Sequence, residues 1–262
     1  MNESAAIVIP ARMASSRFPN KPLALIKGMT LIERVWRIGK AASCATEVLI
    51  ATDDAQLKAF AEGFGAKVVM TSPSCPTGTD RVAEVSSLPG MNQTIFFSLQ
   101  GDAVLTPPWV IEQILEAMVA DPTIQMATPA VELTGQALSD FIASKKKGSS
   151  SGTSVVFNQR GDALYFSKAL IPYSREENSP ERKVYRHIGL YGYRRPILQK
   201  LTQLPEGPLE KAEQLEQLRA LENGIPIRVI LVDYRGRTHG SVDRPEDVPI
   251  IEALIEKERE LL

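Results

Sequence analysis

The sequence contains few of the residues and motifs that mark several common protein classes. Its only two cysteines are Cys44 and Cys75, which give no basis for a disulfide framework or a thiolate metal site. No apolar run approaches the ~18 residues of a membrane span, and the run over residues 5–11 is too short for a signal peptide and follows no basic segment. Neither GxGxxG nor GxxxxGK occurs, so a dinucleotide oxidoreductase and a P-loop phosphotransferase have no motif support. A cytoplasmic protein without membrane insertion is expected.

The chain as a whole carries almost no net charge, but positive charge is concentrated near its beginning. The net charge of −1 argues against a general nucleic-acid binder. Residues 1–40, however, carry seven Lys or Arg against two Glu, a local balance of +5. With 262 residues, 44% of them hydrophobic and 23% charged, the chain can fill a substantial core. An anionic small-molecule ligand near the N-terminal region is therefore favoured over nucleic acid.

The first half of the sequence alternates strand-like and helix-like segments. Apolar runs predict strands, and apolar residues at helical spacing predict the helices between them. Such alternation is typical of a Rossmann-like α/β fold with a mostly parallel sheet. The predicted strands are residues 6–9, 47–52, 67–70 and 94–99, and the predicted helices are residues 31–42, 55–63 and 81–87.

The second half has more closely spaced strands, and it predicts a smaller, partly antiparallel subdomain over about residues 130–200, inserted into a single domain of residues 1–262. A Lys- and Ser-rich run, residues 145–152, has the composition of a flexible, solvated loop. The predicted strands are residues 126–131, 154–158, 163–166, 188–194 and 227–232, and the predicted helices are residues 209–222 and 245–261.

Charged residues follow the predicted strands of the first half. Arg12, Arg17 and Lys21 lie in the loop after the first strand, and Asp53 and Asp102 follow two others. In open α/β sheets, ligands bind beyond the carboxyl ends of the strands. Two guanidinium groups and an ammonium among small residues suit phosphate oxygens. The alternative is a solvated basic loop.

The loop of residues 9–23, Ile-Pro-Ala-Arg-Met-Ala-Ser-Ser-Arg-Phe-Pro-Asn-Lys-Pro-Leu, closely resembles the signature of sugar nucleotidyltransferases. In its full form it is similar to the 3-deoxy-manno-octulosonate (Kdo) cytidylyltransferase family. Further segments resemble that family's landmarks in the same order, so the resemblance spans nearly the whole chain. These segments are residues 51–53 (Ala-Thr-Asp), 77–81 (Thr-Gly-Thr-Asp-Arg), 100–102 (Gln-Gly-Asp), 163–167 (Ala-Leu-Tyr-Phe-Ser), 186–193 (Arg-His-Ile-Gly-Leu-Tyr-Gly-Tyr), 215–219 (Leu-Glu-Gln-Leu-Arg) and 242–247 (Val-Asp-Arg-Pro-Glu-Asp).

The resemblance implies that the anomeric hydroxyl of a 2-keto-3-deoxy sugar acid attacks the α-phosphorus of CTP, which yields a CMP-sugar and pyrophosphate for lipopolysaccharide or capsule biosynthesis. On this interpretation Arg12, Arg17 and Lys21 are catalytic and hold the triphosphate. Asp102 and Asp243 match the family's two Mg²⁺-binding aspartates, and carboxylate oxygen suits that ion. For each aspartate alone, a helix cap or a turn residue is the alternative interpretation.

The same resemblance implies the two substrate sites. The nucleotide-binding residues are Ala11, Arg12, Arg17, Lys21, Thr77, Gly78, Arg81 and Gln100. The sugar-binding residues are His187, Tyr191, Glu213, Glu216 and Gln217. For residues 77–81 the alternative is a turn and a helix start, and for His187 it is a structural histidine. For Glu213, Glu216 and Gln217 the alternative is a solvated Glu/Gln-rich helix face. A homodimer that makes contact through the smaller subdomain is also implied.

The sequence departs from the family's pattern on the sugar side. Ala103 and Val104 follow Gln-Gly-Asp where the family usually has Glu-Pro, and residues 152–154 replace an Asn and a basic residue near the Val-Val strand. Ser241 and Arg244 replace the usual Gly and Thr. We hypothesise a changed acceptor, such as an 8-amino Kdo analogue. A catalytically silent nucleotide-binding homologue is the alternative from another class of protein, and the retained charged residues argue against it.

Overall fold

The computed structural model describes residues 3–14, 17–175 and 183–261, so Ser15 and Ser16 of the basic loop lie outside the described residues. The strands are β1 Ala5–Pro10, β2 Leu25–Ile26, β3 Met29–Thr30, β4 Glu47–Thr52, β5 Lys67–Met70, β6 Ile95–Ser98, β7 Met126–Leu133, β8 Thr153–Phe157, β9 Ala163–Ser167, β10 Val184–His187, β11 Tyr191–Arg194 and β12 Ile227–Leu231. The α-helices are α1 Leu31–Ala41, α2 Ala55–Gly63, α3 Gly78–Ser86, α4 Pro108–Ala120, α5 Gly135–Lys146, α6 Arg195–Gln203, α7 Pro208–Glu213, α8 Gln217–Glu222 and α9 Asp247–Glu258. A 3₁₀ turn spans Lys21–Leu23.

The first half forms the predicted parallel sheet, in the order β5-β4-β1-β6. All six residues of β1 are buried, because helices cover both faces of the sheet. Ile7 and Ile9 belong to the apolar cluster on one face, and Ala6 and Val8 belong to the cluster on the other. This is why β1 is a continuous apolar run rather than an alternating one.

Local capping signals explain two helix starts near the sheet's carboxyl edge. Asp54 caps α2, since its Oδ1 accepts a hydrogen bond of 2.8 Å from the Leu57 amide. Thr77 and Asp80 form a capping box that starts α3 at Gly78, three residues before the predicted start at Arg81. The prediction of a cap at residues 53–54 is confirmed for Asp54.

The second half extends the same sheet. β11 lies between β6 and β7 and runs antiparallel to both, and β12 pairs with the other edge of β7 in parallel. β10 also pairs antiparallel with β7, and it carries β8 and then β9 as an antiparallel extension. The α/β fold with a partly antiparallel region is therefore confirmed. The subdomain boundary near residues 130–200 stays a prediction, and strands of that region hydrogen-bond directly to the main sheet.

The predicted strand over residues 188–194 is wrong at its beginning. β10 ends at His187 and β11 begins at Tyr191. His187 pairs with Ala130 and Gly192 pairs with Ala127, so the interrupted strand carries two more residues than β7 between these pairs. The extra residues interrupt the ladder, but His187, Gly189 and Tyr191 still line one cavity, whereas Ile188 and Leu190 pack into the apolar cluster that contains Ile7 and Ile9.

Two further predictions in this region need correction. The predicted helix over residues 209–222 is two short helices, α7 and α8, with Gln214 between them in a left-handed conformation at φ 50°. Lys145 and Lys146 of the predicted flexible loop belong to the last turn of α5, and the ammonium group of Lys145 binds backbone carbonyls of the following loop. In the described parts of the chain, no helix combines the length and apolar character that crossing a bilayer needs.

Candidate active site

A crevice lies beyond the carboxyl ends of β1 and β6, where the strand order changes direction. The chain proceeds from β1 to β4 and β5 on one side, and β6 lies on the other side of β1. The loops after β1 and β6 pack closely, since a Cβ atom at Gly101 would lie 2.8 Å from the Pro10 carbonyl oxygen. Only glycine permits this approach. It brings Asp102 next to the basic loop.

Lys21 and Asp102 form an ion pair at the centre of the crevice. Lys21 Nζ lies 2.7 Å from Asp102 Oδ2 and donates a second hydrogen bond of 3.0 Å to the Val242 carbonyl oxygen. The Val242 amide in turn donates to the Asp102 carbonyl oxygen at 3.2 Å. Three segments that are far apart in sequence are thereby joined at one point.

Arg17 and Asp243 make a second pair of the same kind. Arg17 Nη2 lies 3.2 Å from Asp243 Oδ1, and both side chains are substantially exposed. The loop that carries Asp243 is fixed by Asp247, whose Oδ2 accepts hydrogen bonds of 2.8 Å from the Asp243 and Arg244 amides. Each predicted phosphate-binding cation of these pairs therefore neutralises one predicted metal-binding carboxylate.

All of the predicted nucleotide-binding and metal-binding residues line one cavity of about 240 Å³ in this crevice. Arg12 is exposed there and has no ion pair with another described residue. The predicted residues that line this cavity are Ala11, Arg12, Arg17, Lys21, Thr77, Gly78, Arg81, Gln100, Asp102 and Asp243. The cavity is also lined by residues that had not been predicted, namely Pro10, Pro22, Leu31, Cys75, Pro76 and Gly101. The structure thus collects the predicted set in one place.

The polar side chains on the α3 side of this cavity already form hydrogen bonds or ion pairs with other residues of the protein. Arg81 is buried, pairs with Asp53 at 3.4 Å and donates a hydrogen bond to the Thr71 hydroxyl. The Thr77 hydroxyl donates to Asp80 Oδ2 at 2.7 Å within the capping box. Gln100 Nε2 donates to Ser98 at 3.3 Å. The Cys75 amide donates to the Ser72 carbonyl oxygen and the Thr77 amide to Asp80 Oδ2, so the side-chain amide oxygen of Gln100 is a more accessible partner for a base.

A second, larger cavity of about 690 Å³ adjoins the first, and His187 and Tyr191 line it. The Thr128 hydroxyl lies 2.8 Å from the Leu190 carbonyl oxygen, which can only accept, so Thr128 donates there. His187 Nε2, 2.9 Å from the same hydroxyl, must then be the donor. Burial lowers the pKa of His187 to about 3, so the ring is neutral with its proton on Nε2.

Glu216 and Gln217 also line the second cavity. Burial raises the pKa of Glu216 above its ordinary value, and it raises the pKa of Tyr191 as well. Gln217 Nε2 and His239 Nδ1 are buried without a hydrogen-bond partner among the described residues. Buried polar atoms are rarely left unpaired in proteins, so these two atoms mark positions where a polar ligand would find partners.

Glu213 is the one predicted sugar-binding residue that the structure does not bring to this cavity. Its Oε1 accepts a hydrogen bond of 2.6 Å from the Ser167 hydroxyl, and its Oε2 accepts one of 2.8 Å from the Lys168 amide. The break at Gln214 separates Glu213 from Glu216, so the two carboxylates do not lie on one continuous helix as the predicted helix over residues 209–222 required. Glu213 supports the cavity wall instead of lining it.

The residues that line this cavity without having been predicted include the basic residue types Lys168, Arg186 and His239. Lys168 directly follows the family-like segment 163–167, Arg186 is the first residue of the segment 186–193, and His239 is the second of only two histidines. No carboxylate of the described residues pairs with Arg186, and burial lowers its pKa. The side of the cavity near Arg186 therefore carries an uncompensated positive charge that suits an acidic ligand.

The residues present fit a magnesium ion. Asp102 and Asp243 supply two carboxylates to one cavity, and Mg²⁺ is usually bound by one or two carboxylates with phosphate oxygens and waters. Among the residues that the structure describes, no group of three or more His, Cys, Asp or Glu side chains forms a candidate metal cluster. Ala103 and Val104, which replace Glu-Pro, are both buried and add no ligand.

Comparison with known proteins gives the class to which this fold and site belong. The family model described as Cytidylyltransferase matches residues 6–229. The chain belongs to the cytidylyltransferase family.

Individual relatives show which members of this family the chain is similar to. The chain is 50% identical to a 3-deoxy-manno-octulosonate cytidylyltransferase of Maricaulis maris, over 99% of this chain and 100% of the relative. It is 41% identical to an 8-amino-3,8-dideoxy-manno-octulosonate cytidylyltransferase of Shewanella woodyi, over 94% and 96% of the two chains. A solved structure of CMP:2-keto-3-deoxy-manno-octonic acid synthetase complexed with CTP superposes with a TM-score of 0.86 at 37% identity, covering 98% of this chain and 100% of that one. The resemblance to the Kdo cytidylyltransferases extends over the whole chain.

Proposed function

We propose that this protein is a Mg²⁺-dependent cytidylyltransferase that couples CTP to Kdo or a Kdo-like 2-keto-3-deoxy sugar acid. The observation that carries the proposal is the single cavity in which Arg12, Arg17 and Lys21 meet Asp102 and Asp243. Three cations suit a triphosphate, and two carboxylates suit the metal that accompanies it. Full-length similarity to Kdo cytidylyltransferases supports the same conclusion.

The reaction needs positioning and charge neutralisation more than covalent chemistry by the protein. In the proposed complex, Arg12, Arg17 and Lys21 bind phosphate oxygens, and the acid sugar occupies the adjoining cavity. Mg²⁺ held by Asp102 and Asp243 would neutralise charge on the phosphates. His187, neutral at physiological pH and already donating to Thr128, serves as a positioning group for sugar hydroxyls rather than as a cation.

The test is an assay of pyrophosphate release with Mg²⁺, one nucleotide and one acceptor at a time. We expect turnover with CTP and a 2-keto-3-deoxy sugar acid and little turnover with UTP. Equal turnover of UTP would contradict the cytosine assignment. Binding of CTP without turnover for any acid sugar in the panel would contradict the enzymatic proposal and favour a silent homologue.

An 8-amino Kdo analogue is the second candidate acceptor. It is favoured by the Shewanella woodyi relative and by the second cavity, whose wall carries the carboxyl groups of Glu216, Asp243 and Asp247, which can accept hydrogen bonds from an ammonium group. The two acceptors are compared at equal concentration in the same assay. A wide preference for plain Kdo would remove the case for the amino sugar.

A homodimer and a role in lipopolysaccharide or capsule biosynthesis, in the cytoplasm, complete the proposal. Leu164 on β9 and Leu231 on β12 are 62% and 50% exposed, and these apolar side chains lie on strands that a partner subunit can cover. Sedimentation equilibrium tests this part, and a monomer at micromolar concentration would contradict it.

A further inference from the structure

The ammonium group of Lys145 is bound by backbone carbonyls rather than by a carboxylate. Nζ donates to the carbonyl oxygens of Ser151 at 2.8 Å, Gly152 at 2.6 Å and Lys168 at 2.6 Å. An ammonium has three hydrogens, so these three short bonds use all of them. The Ser149 carbonyl oxygen is more distant, at 3.4 Å.

This arrangement is unusual for a lysine beside a solvated loop. Lys145 forms no ion pair with a carboxylate of the described residues, and burial and the nearby Arg186 lower its pKa. An exposed lysine in the last turn of α5 would avoid this desolvation. The three short hydrogen bonds to backbone carbonyl oxygens compensate for this desolvation.

The loop also packs against the helix that carries Lys145. Gly152 has φ +74°, and a Cβ atom there would lie 2.8 Å from Phe141 Cε2 on α5. Lys145 Nζ lies 5.1 Å from the centre of the same Phe141 ring. The end of α5 thus holds Gly152 through an apolar contact and a hydrogen bond.

The carbonyl groups that Lys145 binds belong to the wall of the second cavity. Ser151, Gly152 and Lys168 all line that cavity. The backbone of Lys168 is held from both sides, because its amide donates to Glu213 Oε2 at 2.8 Å and its carbonyl oxygen accepts from Lys145. Lys145 and Glu213 therefore join the loop after α5, the end of β9 and the end of α7.

We propose that Lys145 is a positioning residue for the acceptor, and that it fixes the wall formed by residues 150–153 and Lys168 in the conformation that receives the acid sugar. Lys145 does not line either cavity, so its effect is exerted through these backbone groups. The nucleotide cavity contains none of the residues that Lys145 binds. Only the kinetic test of this inference depends on the proposed function.

The kinetic test compares Lys145→Met with Lys147→Met. Both changes remove one positive charge near the end of α5, and Lys147 is exposed. We expect Lys145→Met to raise the KM for the acid sugar at least tenfold, to change the KM for CTP less than twofold and to leave the midpoint of thermal unfolding near that of Lys147→Met. Lys145→Arg, which keeps the charge but not the compact three-donor geometry, should give an intermediate KM for the acid sugar. An unchanged KM for the acid sugar, or an equal rise in both KM values, would overturn the proposal.

Hydrogen exchange provides a readout that does not depend on any substrate. Amides of residues 149–153 should exchange at least tenfold faster in Lys145→Met than in Lys147→Met, whereas amides of β1 should exchange equally in both proteins. Equal exchange at residues 149–153 would refute the positioning role. If no acceptor is turned over by the unmodified protein, the proposed function fails, and the exchange experiment still decides whether Lys145 holds this wall.

Discussion

Lys21 Nζ lies 2.7 Å from Asp102 Oδ2, so a predicted phosphate ligand and a predicted metal ligand are each other's partners in the absence of substrate. Arg17 and Asp243 repeat this relationship at 3.2 Å. Binding of CTP with its metal would exchange both partners, since the cations would turn to phosphate and the carboxylates to the metal. Nucleotide and metal should therefore assist each other's binding.

Replacing Lys21 tests both sides of that exchange. We expect Lys21→Met to lower kcat/KM for CTP about 10- to 100-fold, because a charge-assisted hydrogen bond is worth ~1.5–3 kcal/mol. Asp102 loses its competing cation, so Mn²⁺ added without nucleotide should bind the variant more tightly. Steady-state kinetics and Mn²⁺ titration followed by electron paramagnetic resonance measure the two effects. The control is Lys58→Met on the exposed face of α2, and weaker Mn²⁺ binding by Lys21→Met would contradict the exchange.

Replacing Asp243 should separate turnover from nucleotide binding. Asp243→Ala is expected to lower kcat by about a thousandfold or more, since a metal ion supplies several kcal/mol of charge stabilisation. Affinity for CTP measured by calorimetry should change only a few fold, because Arg17 is freed to bind phosphate. The exposed Arg17–Asp243 pair contributes little to folding, so unfolding should be nearly unaffected. Asp140→Ala, on the exposed surface of α5, is the control; undiminished turnover of Asp243→Ala would exclude a metal role.

The close packing of Gly101 against Pro10 predicts a large effect from one methyl group. Gly101→Ala places a Cβ atom 2.8 Å from a backbone oxygen, and relief of that overlap should cost about 1–3 kcal/mol. The unfolding temperature should fall by about 2–4 °C per kcal/mol, and turnover should fall because the loop carries Asp102. Gly63→Ala is a matched control, since its Cβ atom would meet nothing within 4 Å and the position is helical. Equal stability of the two variants would show that the loops do not pack as described.

The buried neutral state of His187 makes stability dependent on pH. Its folded pKa of about 3 lies below the unfolded value near 6.5, so the unfolded chain binds more protons in acid. The free energy of unfolding should therefore fall as pH drops below 6.5, by up to ~1.4 kcal/mol per pH unit from this residue. His187→Gln should weaken that dependence, measured by urea unfolding at pH 7, 6 and 5. His239 is present in both the unmodified protein and the variant, so its contribution to the pH dependence is the same in both. If the free energy of unfolding changes equally with pH in the two proteins, the buried neutral state of His187 is ruled out.

Local signals in the sequence predicted the first half of the fold and the nucleotide side of the site. The apolar run of β1, the periodic apolar residues of α1 and the cap at Asp54 act over short distances, so their consequences are visible in the sequence. Family-like motifs then brought Asp102 and Asp243 together in the prediction. Their pairing with Lys21 and Arg17 was not predicted, because it joins residues 81 and 226 positions apart.

The second half was harder to predict, because its breaks depend on tertiary pairing. The bulge between β10 and β11 is defined by how both strands pair with β7. The break between α7 and α8 occurs at Gln214, a residue with no marked preference for a left-handed conformation. Glu213 was therefore assigned to the sugar, whereas it holds the backbone of Lys168.

Among the described residues, the two cavities have only Arg17 and Asp243 in common in their linings. The remaining walls come from different halves of the chain, so substitutions can accumulate around the acceptor while the nucleotide machinery is left intact. Such a division makes acceptor preference open to directed evolution: libraries confined to residues 150–153, 168 and 186–191 should yield altered acid-sugar choice without loss of CTP recognition.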